Sequence, residues 1–324
     1  MGPISENTLE PTDVEAAPPL YKQASKVPPF RTVLACTDLS PASRPALQEA
    51  GRLCGMMGAH LVLLHSCETS PLSARAAEGA EDLAEQFCIH DRELLQYADE
   101  LRAAGISVET VFEEGTPSDV ILKYMASRNI DLAILGTHGM AGRDRLFCGS
   151  TAEEVLRTAH CPVVTVGPRA ARNKVSQIGP VVFATDFHAS STEGVRYAAS
   201  LAVIAKVSLH CPHVLPLAME GEGKAPIIPH VMTEALRHLL AQKQIDLNDV
   251  VCDVIYGSEV SQAVVDYAKA HNAQAIVLGV KRASWLVTHL APHVTYRIIV
   301  TAPCPVLTIS SDFETSPLQA TACL

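Results

Sequence analysis

The sequence predicts a tandem α/β protein, two copies of one unit, each a parallel sheet with helices on both faces. Three observations predict it. Runs such as DLAILG (131–136) are apolar throughout rather than alternating, as in strands covered on both sides. Stretches with helical spacing separate these runs, the order of βαβ units. The runs also recur: RTVLACTD (31–38) returns as PVVFATD (180–186), DLAILG as QAIVLG (274–279), and CPVVTV (161–166) as CPVLTI (304–309).

Residues 1–28 carry Pro3, Pro11, Pro18, Pro19 and Pro28 without periodicity and read as a flexible arm. The first strand, 31–38, ends in Thr37-Asp38, and a helical pattern follows over about 43–57. LVLLHS (61–66) is a second strand. Thr116-Pro117 sets a capping residue before a proline at the first helical position, and Val120, Ile121, Tyr124 and Met125 then line one face. DLAILG runs into GTHGMAGRDRLFCGST (136–151), with glycines at 136, 139, 142 and 149. A helix over AEEVLRTA (152–159) and the strand CPVVTV close the unit.

The second unit repeats the order: PVVFATD, a helix over about 191–204, the weaker strand KVSLHCPHV (206–214), QAIVLG and CPVLTI. Tyr124 lies as far before Gly136 as Tyr267 before Gly279, and Gly136 as far before Cys161 as Gly279 before Cys304, so this part aligns without a gap. Two repeats this long are duplicated domains rather than a solenoid. The expected division is an arm at 1–28, units at 29–170 and 171–311, and a flexible tail at 312–324.

A chain of 324 residues suits two average domains. With 48% hydrophobic and 5% aromatic residues, the cores must be mostly Val, Leu, Ile and Ala. A net charge of −10 without a basic block repels nucleic acid and anionic membranes at long range, so neither is an expected partner. No apolar run reaches membrane-spanning length and the N-terminus has no signal-peptide pattern, so a cytoplasmic location is expected. Ten cysteines without a CxxC pair read as reduced, mostly buried thiols, with Cys323 near the end the candidate for an exposed one. His210-Cys211-Pro212-His213 carries metal-ligating atoms, but on a strand 211 and 213 face one side and 210 the other, a spacing suited to a turn rather than a closed tetrahedral site. There is no GxSxG elbow, HExxH helix or obvious acid pair.

The glycine stretch is the main chemical candidate. Ligands of parallel α/β sheets bind beyond the carboxyl ends of the strands, where this loop sits. Glycines admit close backbone approach, and successive N–H groups form an anion-holding concavity. Gly149-Ser150-Thr151 opens the next helix, whose free N–H groups and dipole favour phosphate. A bland reading stands beside this one: Ser150-Thr-Ala-Glu153 is also a capping box. The loop lacks the Walker lysine and does not fit GxGxxG.

Gly136-x2-Gly139-x9-Gly149-Ser150, with GTHG, the helix-opening GST, the TDLS at 37–40 and the final CPVVTV, resembles the nucleotide motif of the universal stress protein family across about residues 30–310. The resemblance implies two Rossmann-like units of the HUP type, each with five parallel strands in the order 3-2-1-4-5, paired like a dimer through their last strands, 162–166 and 305–309. It implies ATP as cofactor, as a magnesium complex, with no metal ligand assigned on the protein. Asp38 would bond the adenine edge, with Cys36 and Thr37 lining the same wall. Ser66 would meet the base through its backbone, Leu135 and Gly136 would border the ribose, and Gly139, Gly142, Gly149, Ser150 and Thr151 would hold the phosphates, with His138 and Arg143 in the same loop. Asp38 has a competing role as cap of the following helix.

In the second unit Gly139 becomes Arg282, Gly142 Trp285, Gly149 Pro292 and Ser150 His293, leaving Gly279 and the strand-end Asp186. Proline offers no N–H to an anion, and tryptophan obstructs a close approach, so no triphosphate is expected there by the first unit's mode. Lys281, Arg282, His289, His293 and Arg297 are either a changed anion or partner site or a solvated loop. The leading expectation is an ATP-binding regulatory protein of the stress response that signals to an unidentified protein partner. One alternative is a slow ATPase or phosphotransfer enzyme using His138, Arg143 and Asp144; no catalytic residue is assigned, and no carboxylate pair for magnesium is evident. The other is a nucleotide-free scaffold. A homodimer of the whole chain is a further expectation, with no surface assigned.

Overall fold

A computed structural model describes residues 30–67, 80–137, 148–170, 179–187, 194–219, 227–242, 249–280 and 294–310, with backbone alone at 80–88, 227–229 and 242. The arm (1–28), the tail (312–324), Cys323 and the 171–178 connection lie outside them. The first unit runs β1 (Thr32–Thr37), α1 (Arg44–Met57), β2 (His60–Cys67), α2 (Ala80–Ala103), β3 (Val108–Glu114), α3 (Pro117–Ser127), β4 (Leu132–Gly136), α4 (Ser150–Thr158) and β5 (Val163–Val166). The second runs β6 (Val181–Ala184), α5 (Gly194–Ala205), β7 (Leu209–Pro216), α6 (Ile227–Gln242), β8 (Val250–Gly257), α7 (Val260–Ala270), β9 (Ala275–Val280), α8 (Val294–Thr301) and β10 (Val306–Ser310).

Local chemistry explains the elements. The β1 run buries Val33, Leu34 and Ala35 completely, so both faces of the strand are covered. α1 begins with a proline in its first turn and stops at Gly58, which takes the left-handed conformation (φ 65°) and donates its N–H to the Cys54 carbonyl. Its buried face is Ala46, Leu47, Ala50, Gly51, Leu53 and Cys54. At Gly51 a Cβ would stand 2.7 Å from a Leu101 methyl, so α1 and α2 touch only because this side chain is missing. α3 starts where Thr116-Pro117 predicts and buries Ile121 and Met125, although the Thr116 side chain makes no capping bond.

The ten strands form one sheet in the order β3-β2-β1-β4-β5-β10-β9-β6-β7-β8. Each half is a five-stranded parallel sheet in the expected order, and one antiparallel junction makes the whole sheet mixed. At the junction Thr165 faces Val306, Val164 faces Leu307 and Val163 faces Thr308. Thr165 Oγ1 donates to the Val306 carbonyl at 3.3 Å and Thr308 Oγ1 to the Val163 carbonyl at 3.1 Å. Thr165 and Thr308 occupy equivalent places in the repeat, so the seam is self-complementary, as in a two-fold dimer. Each last strand removes the other's open edge. Two apolar layers cover the sheet and continue across the seam. One packs α1, α2, α5 and α6, the other α3, α4, α7 and α8.

Candidate functional site

The chain passes β1, β2 and β3 outward in one direction, then crosses to β4 and β5 on the other side of β1. The strand order therefore reverses between β1 and β4, where open α/β sheets leave a crevice at their carboxyl edge. Cys36 faces Leu135 in register, so Thr37-Asp38 and Gly136-Thr137 emerge side by side at that crevice. No sequence pattern alone sets these two segments together.

After β1 the chain folds back sharply. Leu39 takes a left-handed conformation (φ 61°), costly for a side chain of its kind. Three local bonds hold it: the Leu39 N–H donates to Thr37 Oγ1 at 2.9 Å, and Asp38 Oδ1 accepts from the Ser40 N–H at 3.0 Å and the Ser40 hydroxyl at 2.6 Å. Ser43 Oγ donates to the Ser40 carbonyl at 2.9 Å, so at 2.8 Å the Thr37 hydroxyl is the donor to Ser43 Oγ. The Thr37 hydroxyl is thus engaged in the turn. The residue at the cap position of α1 is Ser43, not Asp38, so one oxygen of Asp38 serves the turn instead.

His65, at the end of β2, was not singled out by sequence reasoning. Its Nδ1 lies 2.9 Å from the Thr37 carbonyl, which can only accept, so Nδ1 carries the proton. The ring is 3% exposed and meets His90 edge-on at 5.1 Å. Burial pushes the His65 pKa below its ordinary value, His90 pushes the same way, and the Thr37 carbonyl, Asp38 and Glu93 oppose. The second unit repeats the device: Phe187 is left-handed (φ 64°), its N–H donates to Thr185 Oγ1 at 3.0 Å, and His213 Nδ1 lies 3.2 Å from the Thr185 carbonyl. The available signal was a histidine at the same place in both second strands, LVLLH and LHCPH.

Across the crevice, Leu135 is buried and Gly136 ends β4 half-buried. Thr137 is fully buried; its N–H donates to the Val166 carbonyl at 3.1 Å and its carbonyl accepts from the Gly149 N–H at 2.7 Å. That last bond pinches the loop at its base. His138, Gly139, Gly142 and Arg143, together with Asp144, lie outside the described residues. From the other unit, Tyr296 of α8 accepts a hydrogen bond from the Cys148 N–H at 2.9 Å. The loop's return end is therefore held by both halves of the molecule.

Three local expectations need correction. Gly149 has an ordinary backbone (φ −61°) and its N–H is spent on Thr137, so it is not a free anion donor. Gly149, not Ser150, occupies the cap position of α4; Ser150 is the first helical residue, so the Ser150–Glu153 capping box does not form. The first intrahelical bond, Glu153 N–H to the Gly149 carbonyl, leaves the Ser150, Thr151 and Ala152 N–H groups without a helical acceptor. Glu153 in the first turn opposes an anion there, and the helix dipole favours one. Third, Cys36 and Thr37 do not line one wall. Thr37 points to the α1 side, and Cys36 is buried in the α3/α4 layer, its pKa raised by burial and then by Cys161. Ser66 lies within β2, half-buried and paired with Glu113.

In the second unit Asp186 is exposed after β6, and Gly279 is paired with Ile309. Lys281, Arg282, Trp285, His289, Pro292 and His293 lie outside the described residues. Arg297 bonds Glu259 at 2.7 Å and is not part of an uncompensated basic patch. The run His210 to His213 is regular strand within β7 rather than a turn. His210 Nδ1 meets the Tyr267 hydroxyl at 3.1 Å, that hydroxyl donates to Asp253, and Cys211 is buried. Among the described residues no three His, Cys, Asp or Glu side chains are placed to hold a metal, and no helix is long and apolar enough to cross a membrane. Described cysteines are all free, and six of the eight are buried.

Residues 29–167 and 178–310 each match the model described as the Universal stress protein family. Among curated proteins, the universal stress protein MJ0531 of Methanocaldococcus jannaschii is 28% identical over 42% of this chain and 82% of its own length. Universal stress protein A homolog 1 of Coxiella burnetii is 30% identical over 42% of this chain and 96% of its own. Among solved structures, a universal stress protein from Archaeoglobus fulgidus matches 86% of this chain and 98% of that one, with a TM-score of 0.66 and 23% identity.

Proposed function

Since this chain belongs to the universal stress protein family, whose model matches both of its halves, we propose that its first unit binds ATP and its second does not. The observation that carries this reading is the reversal of strand order between β1 and β4, which sets Thr37-Asp38 beside Gly136-Thr137, with Gly149 at the start of α4 bonded to Thr137. The adenine edge meets Asp38 and the backbone of Ser66. The ribose lies against Leu135 and Gly136. The phosphates meet the N–H groups of Ser150, Thr151 and Ala152, the hydroxyls of Ser150 and Thr151, and the amides of Gly139 and Gly142. Gly149 works indirectly, by closing the loop onto Thr137.

The donor set suits a phosphate chain better than a bare cation. With no metal-holding cluster among the described residues, magnesium enters on the nucleotide, held by its phosphate oxygens. The role that follows is regulatory: a nucleotide-dependent binding module whose occupancy is read by a partner protein. The antiparallel seam between β5 and β10 joins the two units within one chain.

The test is direct. Protein purified from cells is denatured and the released nucleotide identified, and the emptied protein is titrated with ATP by calorimetry. Intact ATP, bound at one site per chain, supports the reading. Recovery of mainly ADP replaces it with a turnover enzyme, and an empty protein that gives no titration heat replaces it with a scaffold.

A further inference from the structure

We propose that Cys211 and Cys252 form a redox pair in the second unit that closes to a disulfide when the protein meets a hydroperoxide. The two residues are direct partners in the parallel register of β7 and β8. Neighbouring strands lie about 4.7–4.9 Å apart, and opposed residues turn their side chains to the same face. That separation falls inside the Cα–Cα window of about 4.4–6.8 Å that disulfides occupy. The shared face is visible in the packing: Cys211 sits in the apolar layer under α6 with Leu236, Leu239 and Leu240, and Cys252 packs against the same layer. Among the described residues no other two cysteines face each other in strand register.

The pair is also asymmetric in the way a sensor requires. β8 is the last strand of the sheet, and Cys252 on it is partly exposed, whereas Cys211 is fully buried. Cys252 is therefore the thiol that meets oxidant and Cys211 the one that resolves it. Burial raises the Cys252 pKa, Arg237 on α6 opposes that rise, and Asp253 and Glu234 add to it. Burial raises Cys211 further. The arrangement belongs to the second unit alone. At the corresponding register places of β2 and β3 the first unit has Leu63 opposite Thr110.

The chemistry balances. The Cys252 thiolate attacks one peroxide oxygen, an S–O bond forms as the O–O bond breaks, and the leaving hydroxide takes up the thiol's proton as water. Cys211 sulfur then attacks the sulfenic sulfur, the S–S bond forms as the S–O bond breaks, and a second water leaves with the Cys211 proton. Two thiols and one hydrogen peroxide give one disulfide and two waters. The product staples the open edge strand β8 to β7.

Full-length protein is treated with hydrogen peroxide under native conditions, alkylated with N-ethylmaleimide during unfolding and digested without reductant. Mass spectrometry is expected to find one peptide pair joining Cys211 to Cys252, lighter by two hydrogens than the reduced peptides and split by dithiothreitol. Urea unfolding of the oxidised protein should shift to a higher midpoint, and the shift should vanish in Cys252→Ala, a substitution at a partly exposed place that leaves the buried layer filled. Recovery of Cys211 as its maleimide adduct at every peroxide dose would overturn the proposal. So would Cys252 found as sulfinic acid, or joined to another cysteine or another chain.

Discussion

Replacing Gly149 with proline tests the loop in isolation from the rest of the site. The backbone φ at 149 is −61°, close to the value a proline ring imposes, so the main chain accepts the residue. The amide does not. Its N–H donates to the Thr137 carbonyl at 2.7 Å, and in proline the ring Cδ stands where that hydrogen pointed. The two ends of the loop must part. The lost bond is worth about 1 kcal/mol, and about 3 kcal/mol where the Thr137 carbonyl finds no substitute. A stiffer unfolded chain returns about 0.4–1 kcal/mol. The fold survives a net loss of this size, a minor part of a domain's stability of about 5–15 kcal/mol. Opening the loop should weaken ATP by tenfold or more, the equivalent of about 1.4 kcal/mol. Gly149→Ala is the control: it keeps the N–H, and its Cβ would lie 3.5 Å from the Thr137 oxygen, an ordinary contact. Calorimetric titration with ATP beside thermal unfolding reads both effects. Equal affinity in wild type and Gly149→Pro, with both folded, would refute the reasoning. The second unit carries this same change naturally, Pro292.

Other substitutions probe other parts of the molecule. Tyr296→Phe removes the acceptor of the Cys148 N–H and should cost about 1 kcal/mol in chemical unfolding, with a few-fold loss of ATP affinity although the residue lies in the other unit; unchanged affinity would show that the halves do not communicate through this bond. Leu307→Ala, at a position 1% exposed in the seam, should cost about 2–5 kcal/mol and lower a single shared unfolding transition rather than split it. The lowered pKa of His65 gives a pH signature. Its contribution is complete above the ordinary value of 6.5 and is lost as pH falls toward the lower folded-state value, because the unfolded chain binds the proton first. Thermal stability should therefore fall on acidification below about pH 6.5 more steeply in wild type than in His65→Gln, and parallel curves would assign the acid loss to other groups.

Much of this molecule is written in one dimension. Strands covered on both faces announce themselves as unbroken apolar runs, which is why DLAILG and CPVVTV, and their copies, were legible with their order and spacing. That the last strands pair was implied by the family resemblance, and the seam gives the physical reason: equivalent edges in two copies are complementary by two-fold symmetry. The long helix α2 and the edge strands β3 and β8 were not read, since half-buried elements mix polar and apolar residues and lose their period. The chemistry at the crevice divides in the same way. Glycines, a helix start and a strand-end aspartate are residue types, and residue types are visible in sequence. Which amide is already spent, which hydroxyl is locked in a turn, and which histidine backs the strand are matters of who stands within 3 Å of whom. Gly149 bonds Thr137 across a loop, Cys148 bonds Tyr296 across the seam, and Cys211 meets Cys252 across two strands. A hydrogen bond or a disulfide depends on distance in space, and only the packed sheet brings such distant positions together.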